Sequence, residues 1–207
     1  MKRDWIIRPA LVAFATLSLS ACVSLLPEST PSAVYRLSSP DPRAWTGDQW
    51  TVIEVVSPQA PGGLAGDEIA LQMEDHHIAY MAGARWIAPA PRLLQTLIVD
   101  TFNASDARLA PALPDDGVRA DYELRLDLRE FEAVYDNGDG NAPMVRVRIN
   151  ARLVASNGRH FVASSDFVGE VRASANRIGA IVAAFDQAST QVSRDLAAWT
   201  AAETTAP

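Results

Sequence analysis

The chain has little of the chemistry from which most catalytic centres are built. Its 207 residues include one cysteine, Cys22, one lysine, Lys2, and three histidines. A single thiol excludes an internal disulfide and any metal site made from cysteine pairs. There is no G-x-S-x-G elbow, and no histidine stands where it would be positioned as a base, so nucleophilic catalysis finds no support. Glycine-rich phosphate loops are missing as well, because Pro61-Gly62-Gly63-Leu64 is short and opens no helix. These absences predict a protein with no active site. Cationic surface is also scarce: the formal net charge is −7, which argues against nucleic acid or a bare anionic bilayer as the main partner.

What is present starts with the position of that one cysteine. Lys2, Arg3 and Arg8 form a basic start, Pro9 to Leu19 is apolar apart from small hydroxyls, and Leu19-Ser20-Ala21-Cys22 follows. The pattern reads as a lipoprotein signal, with cleavage between Ala21 and Cys22 and lipid attached to the Cys22 thiol. The apolar run is too short to span a bilayer core of about 30 Å, which takes roughly 20 residues. Acyl chains contribute about 0.8 kcal/mol per buried methylene, and two chains suffice for stable anchoring. Residues 1–21 are thus expected to be a signal peptide. Residue two of the mature chain is Val23 and not the aspartate of inner-membrane retention, so the outer membrane is the expected address. The Ser-, Thr- and Pro-rich stretch of residues 22–32 reads as a flexible tether.

Residues 33–203 read as a single domain with a sizeable core. Short strands are predicted at Ala33–Leu37 and Trp50–Val56, and a hairpin at Glu68–Met73 with Ile78–Met81. Apolar residues then recur at helical spacing through Leu93, Leu94, Leu97, Ile98 and Phe102, and the helix is predicted over Pro89–Asn103. Tyr122, Leu124, Leu126 and Leu128 alternate, after which the phase moves to Phe131, Ala133 and Tyr135; this predicts a bulge near Arg129 and Glu130. Val145 to Leu153 alternates again, and Asn157-Gly158 signals a hairpin into residues 159–171. Ile178 to Trp199 reads as a long amphipathic helix. The order predicts a two-layer α+β domain, with both helices on one face of a mainly antiparallel sheet.

Three clusters carry candidate chemistry. Asp136-Asn137-Gly138-Asp139-Gly140-Asn141 has calcium-loop oxygens, but it lacks the downstream bidentate Glu and reads as a hairpin loop. Glu74-Asp75-His76-His77 would need adjacent imidazoles to share a metal, which their opposite directions oppose, so no metal site is expected. Arg146, Arg148 and Arg152 alternate with the apolar face of their strand and line the opposite face. There they would hold a phosphate or headgroup, or more simply pair with Asp121, Glu123, Asp127 and Glu130 of the neighbouring strand.

Ala60-Pro61-Gly62-Gly63-Leu64, Glu68-Ile69-Ala70-Leu71, Tyr80-Met81-Ala82-Gly83-Ala84-Arg85-Trp86, Pro89-Ala90-Pro91-Arg92-Leu93-Leu94-Gln95, the strand at Asp121-Tyr122-Glu123-Leu124 and the final helix with Trp199 stand in one order along the chain. In that order they resemble the ABC-type transport auxiliary lipoprotein family, whose relatives include the PqiC/YmbA lipoproteins. The resemblance implies a non-enzymatic periplasmic lipoprotein without a cofactor. Its implied partners are a mammalian-cell-entry (MCE) domain protein and an inner-membrane ABC or PqiA-like transport complex that moves hydrophobic molecules between membranes and supports the outer-membrane barrier. A ring-like homo-oligomer would match such a tunnel. Arg85 and Trp86 join the three arginines as candidates for a ligand or partner face, Trp86 being read first as a core plug. Two other readings stand beside this one: a carrier holding acyl chains between sheet and helices, and a structural envelope lipoprotein.

Overall fold

The computed structural model describes residues 32–44, 50–105 and 107–205. Among these residues, eight strands and two α-helices follow in the order β1 (Ala33–Tyr35), β2 (Thr51–Val55), β3 (Glu68–Gln72), β4 (Ile78–Trp86), α1 (Ala90–Ala104), β5 (Leu109–Ala112), β6 (Tyr122–Val134), β7 (Met144–Ala155), β8 (His160–Arg172) and α2 (Ile178–Thr205), with single 3-10 turns at Gly62–Leu64 and Pro114–Asp116. The domain is α+β, with one mixed sheet of eight strands.

The antiparallel meander β6–β7–β8 forms the long part of that sheet, from Tyr122↔Ala155 to Val134↔Met144 and from Met144↔Arg172 to Ala155↔His160. Its alternation fixes its register, because a one-residue slip would turn Val145, Val147, Ile149 and Leu153 into solvent. Arg129 is the extra residue between Leu128 and Glu130, which is how the apolar phase moves from Leu128 to Phe131 while both stay buried.

The other edge of β6 is shared. β2 runs parallel to its first half through Ile53↔Tyr122, and β3 runs parallel to its second half through Ala70↔Glu132. Between them Gln59 bridges Asp127, its N–H donating to Leu126 O at 2.8 Å. β4 lies antiparallel to β3, β1 parallel to β4, and β5 parallel to β2.

Three elements differ from the pattern reading. β4 continues to Trp86 where a break is expected after Met81, because Gly83 takes a left-handed φ of 72° and lets the strand bulge. β5, with the sequence Leu-Ala-Pro-Ala, has no strand signal of its own; it exists because β2 offers it an edge, and Pro111 is tolerated on an outer strand. α2 runs past Trp199 to Thr205, where Thr200 and Thr204 donate to Leu196 O and Thr200 O at 2.8 Å each. The turn into β8 spans Ser156 to Arg159, with Gly158 and Arg159 both at positive φ.

Both helices cover the face to which Val145, Val147, Ile149, Leu124, Leu126 and Phe131 point. Between the layers Trp86, Phe131 and Phe185 form an aromatic cluster, with ring centroids 4.9 to 5.5 Å apart. α2 comes so close to β8 that a Cβ on Gly169 would lie 2.5 Å from Ala188 O. α1 is tied to β2 by Gln95, a buried side chain whose Nε2 donates to Val55 O at 2.8 Å. At the entry of the domain, Leu37 is buried and the Ser38 N–H donates to Asp186 Oδ1 on α2 at 2.6 Å.

Candidate functional site

The face of the meander away from the helices carries the charged residues of β6, β7 and β8. Alternation puts Arg146, Arg148 and Arg152 there, and the fold supplies a carboxylate for each. Arg152 Nη2 donates to Asp127 Oδ2 at 2.9 Å, and Asp127 also accepts from Arg129 at 3.2 Å. Arg148 Nη1 lies 3.7 Å from Glu130 Oε1. Arg146 pairs outward with Glu170 of β8, its Nε 3.0 Å from Oε1. That nitrogen is close enough for an ion pair, but its N–H is not aimed at the oxygen, so it is buried without a hydrogen bond. Asp127 and Glu130 thus serve the row as the pattern suggests. Glu123 instead binds Arg125 of its own strand through two bonds of 2.8 and 3.1 Å. Asp121 leaves the row altogether, because its Oδ2 accepts from the Val52 N–H at 2.9 Å.

Glu132, directly opposite Arg146 in the β6–β7 register, is the carboxylate that pattern reasoning passed over. It is buried, and burial pushes its pKa up; the Glu130 charge adds to the rise and Arg146 opposes it. At the far end Arg172 forms a two-pronged pair with Asp136, which holds that carboxyl below its usual range. This ion pair, with Asn176 Nδ2 donating to Asp139 O at 2.7 Å and its Oδ1 accepting from the Tyr135 hydroxyl at 2.8 Å, orders the Asp136–Asn141 loop from within the chain. Among the described residues no cluster of His, Cys, Asp or Glu is arranged to hold a metal ion. His77 Nδ1 contacts Asp75, which holds the exposed Asp75 carboxyl below its usual range.

Arg85 and Trp86 do not join this row. Both are on β4, separated from β7 by β3 and β6. Arg85 is exposed, 3.5 Å from Asp67. Trp86 is 1% exposed at the centre of the aromatic cluster, with its indole N–H unpaired. As placed, its ring reaches no surface, so it belongs with the core and not with a contact face. Cys22 and Ala21 lie outside the described residues.

The same face ends in a cleft of about 510 Å³ beside the first residues of β6, lined by Glu54, Arg119, Glu123, Arg125, Arg159 and Phe161 among others. Phe161 is 63% exposed. Arg119 and Arg159 have no ion-pair partner among the described residues, unlike every arginine of the row. Forty positions separate these two arginines in the chain, and only the β6–β7 pairing unites them. The sequence offers no periodicity that would find them; the one local signal is the Asn157-Gly158 turn, which marks a strand end.

The model of the ABC-type transport auxiliary lipoprotein component matches residues 35–197. Protein XCC0632 of Xanthomonas campestris, whose crystal structure is known, superposes with a TM-score of 0.73 at 29% identity, covering 84% of this chain and 97% of that one. A second crystal structure, of an uncharacterized protein, gives a TM-score of 0.66 at 17% identity over 82% and 99% of the two chains, a likeness of fold. An uncharacterized protein of Bradyrhizobium diazoefficiens is 31% identical over 119 residues, which are 56% of this chain and 30% of that protein, so the match spans under a third of that relative's length. From its strands, its two helices and this match along most of its length, the chain belongs to the family of ABC-type transport auxiliary lipoprotein components.

Proposed function

We propose that this protein is an outer-membrane lipoprotein that docks the MCE-domain partner of an inner-membrane ABC or PqiA-like complex, in a system moving phospholipids or other hydrophobic molecules across the periplasm. The observation that carries the reading is the pairing of the family match over residues 35–197 with a lipobox whose Cys22 is the only thiol in the chain. A transport auxiliary component is not an enzyme class, which accords with ion-paired arginines and no nucleophile-base pair in the sequence. Val23 after the lipidated cysteine favours the outer membrane. Homo-oligomers that match a tunnel's symmetry are part of the proposal.

The alternative of a carrier holding acyl chains between sheet and helices meets a physical obstacle. That space is filled by Trp86, Phe131 and Phe185, and at Gly169 the layers approach too closely even for a methyl group.

The test is affinity purification of tagged full-length protein from detergent-solubilised membranes under gentle crosslinking, with Cys22→Ser as control. An MCE-domain protein and a transport complex should co-purify with the wild type, and the wild type should fractionate with the outer membrane. Cys22→Ser should leave the membrane fraction. Recovery solely with the inner membrane and without such partners would sink the proposal.

A further inference from the structure

We propose that the cleft between the start of β6 and the β7–β8 turn binds the phosphate-bearing headgroup of an amphiphile, with Arg119 and Arg159 on the phosphate and Phe161 against the apolar part. This deepens the transport reading above and rests on it for the source of the ligand.

The arginines of this charged face fall into two groups. Arg125, Arg129, Arg146, Arg148, Arg152 and Arg172 each stand within ion-pair distance of a carboxylate of this chain. Arg119 and Arg159 have none among the described residues, although the chain is acidic overall and has carboxylates in excess. Guanidinium forks match phosphate oxygens in shape and charge, and what sets Arg119 and Arg159 apart is that two guanidiniums without a carboxylate partner line one cleft, where their donors are free for an anion. Arg159 is held at a φ of 47°, in a region that a non-glycine residue seldom occupies, in the turn that brings it beside the cleft.

The second observation is the apolar wall. Phe161 and Val154 line the same cleft, and Phe161 is among the most exposed large apolar side chains of the described residues. A cleft of this volume falls in the range of small-ligand sites, which span about 300 to 1,000 Å³. Unpaired guanidinium beside bare aromatic surface selects a molecule that is anionic at one end and apolar at the other. Glu54 and Glu123 also line the cleft. Glu123 is neutralised by Arg125, so Glu54 is the one carboxylate that opposes an anion, and the affinity is expected to be modest.

The third concerns access. β1 is parallel to β4, β4 antiparallel to β3, and β3 parallel to β6, so β1 runs opposite to β6 and its first residue points away from the cleft. A headgroup arrives from the side of the fold away from that at which the chain enters, which suits cargo handed over by a partner.

The experiment is isothermal titration of full-length protein in non-ionic detergent with monomeric dihexanoylphosphatidylglycerol in one arm and inorganic phosphate in the other. Saturable binding of the lipid should be tighter than that of phosphate. Arg119→Gln with Arg159→Gln should weaken both on the order of tenfold, the scale of a lost charge-assisted contact. Phe161→Ser should weaken the lipid alone, Glu54→Gln should tighten both, and Arg148→Gln, a paired arginine of the same face, should change neither. Unchanged binding in the double variant, or no saturable binding of either probe, would overturn the site. Phosphate bound as tightly as lipid and indifferent to Phe161 would overturn the amphiphile and leave a simple anion site. An intact partner co-purification with no binding would refute the cleft alone, whereas binding without partners would refute the transport reading alone.

Discussion

β6 and β7 present two faces built from the same alternation, and the two have different fates. On one, Leu124, Leu126, Phe131, Val145, Val147 and Ile149 meet the helices and are almost fully excluded from water. On the other, Arg146, Arg148 and Arg152 keep a large part of their side chains in solvent and are held by Glu170, Glu130 and Asp127. The covered face has no slack, so a change of one methyl group is felt through two layers. The open face is a row of replaceable pairs. Stability is therefore concentrated on one side of the sheet, and the other side is free to vary its charges for recognition.

The sharpest way to break this contrast is at Trp86. Removing the ring from the aromatic cluster should cost about 3 to 5 kcal/mol, measured as a lower urea midpoint for Trp86→Ala. Trp86→Phe should cost much less, because it keeps most of the ring and removes a buried indole N–H that has no partner. Gly169→Ala comes next. The new methyl would press on Ala188 O and Val192 Cγ2, at 2.5 and 3.0 Å, and overpacking of this kind costs about 1 to 3 kcal/mol. A native-like melting temperature for that variant would mean that α2 can slide on β8, and that the covered face is softer than argued.

Glu132 sits where the two regimes meet, and its effect depends on pH. Its pKa is raised in the folded state, so between the unfolded carboxylate value and the folded one the native protein binds more protons, and stability falls as pH rises through that window. Glu132→Gln removes the burden of the buried charge. The variant should melt higher than wild type at pH 7, with the gap closing as pH drops below the unfolded value; a gap independent of pH would mean that the carboxylate keeps its charge without penalty. The smallest effect is expected at Arg148→Gln. A partly exposed pair at 3.7 Å contributes about 0 to 1 kcal/mol, so thermal denaturation should shift little and less still in high salt.

Much of this fold was legible because strict alternation leaves few choices. Val145 to Leu153 can bury one set of residues only in one register, and the phase change at Arg129 admits only a bulge. α1 announced itself through helical spacing and prolines placed where an N–H is not needed. β5 was not legible, since Leu-Ala-Pro-Ala has no periodicity and becomes a strand only when β2 lies beside it. The candidate site divides in the same way. The row of arginines was visible as every second residue of one strand, but its partners were only half visible: Asp121 is taken by a backbone N–H, and Arg146 turns to β8.

By itself, then, the sequence determined the elements with a strong period and the two-layer class, and it supports the proposal of a lipid on Cys22, because local chemistry and periodicity depend on neighbours along the chain. The tertiary structure alone decided that β6 shares one edge between two parallel strands, that Leu109–Ala112 is a strand, and that Arg119 and Arg159 meet at one cleft. Each of those depends on which distant segments pair. No residue carries a local mark of the partner that long-range hydrogen bonding will give it.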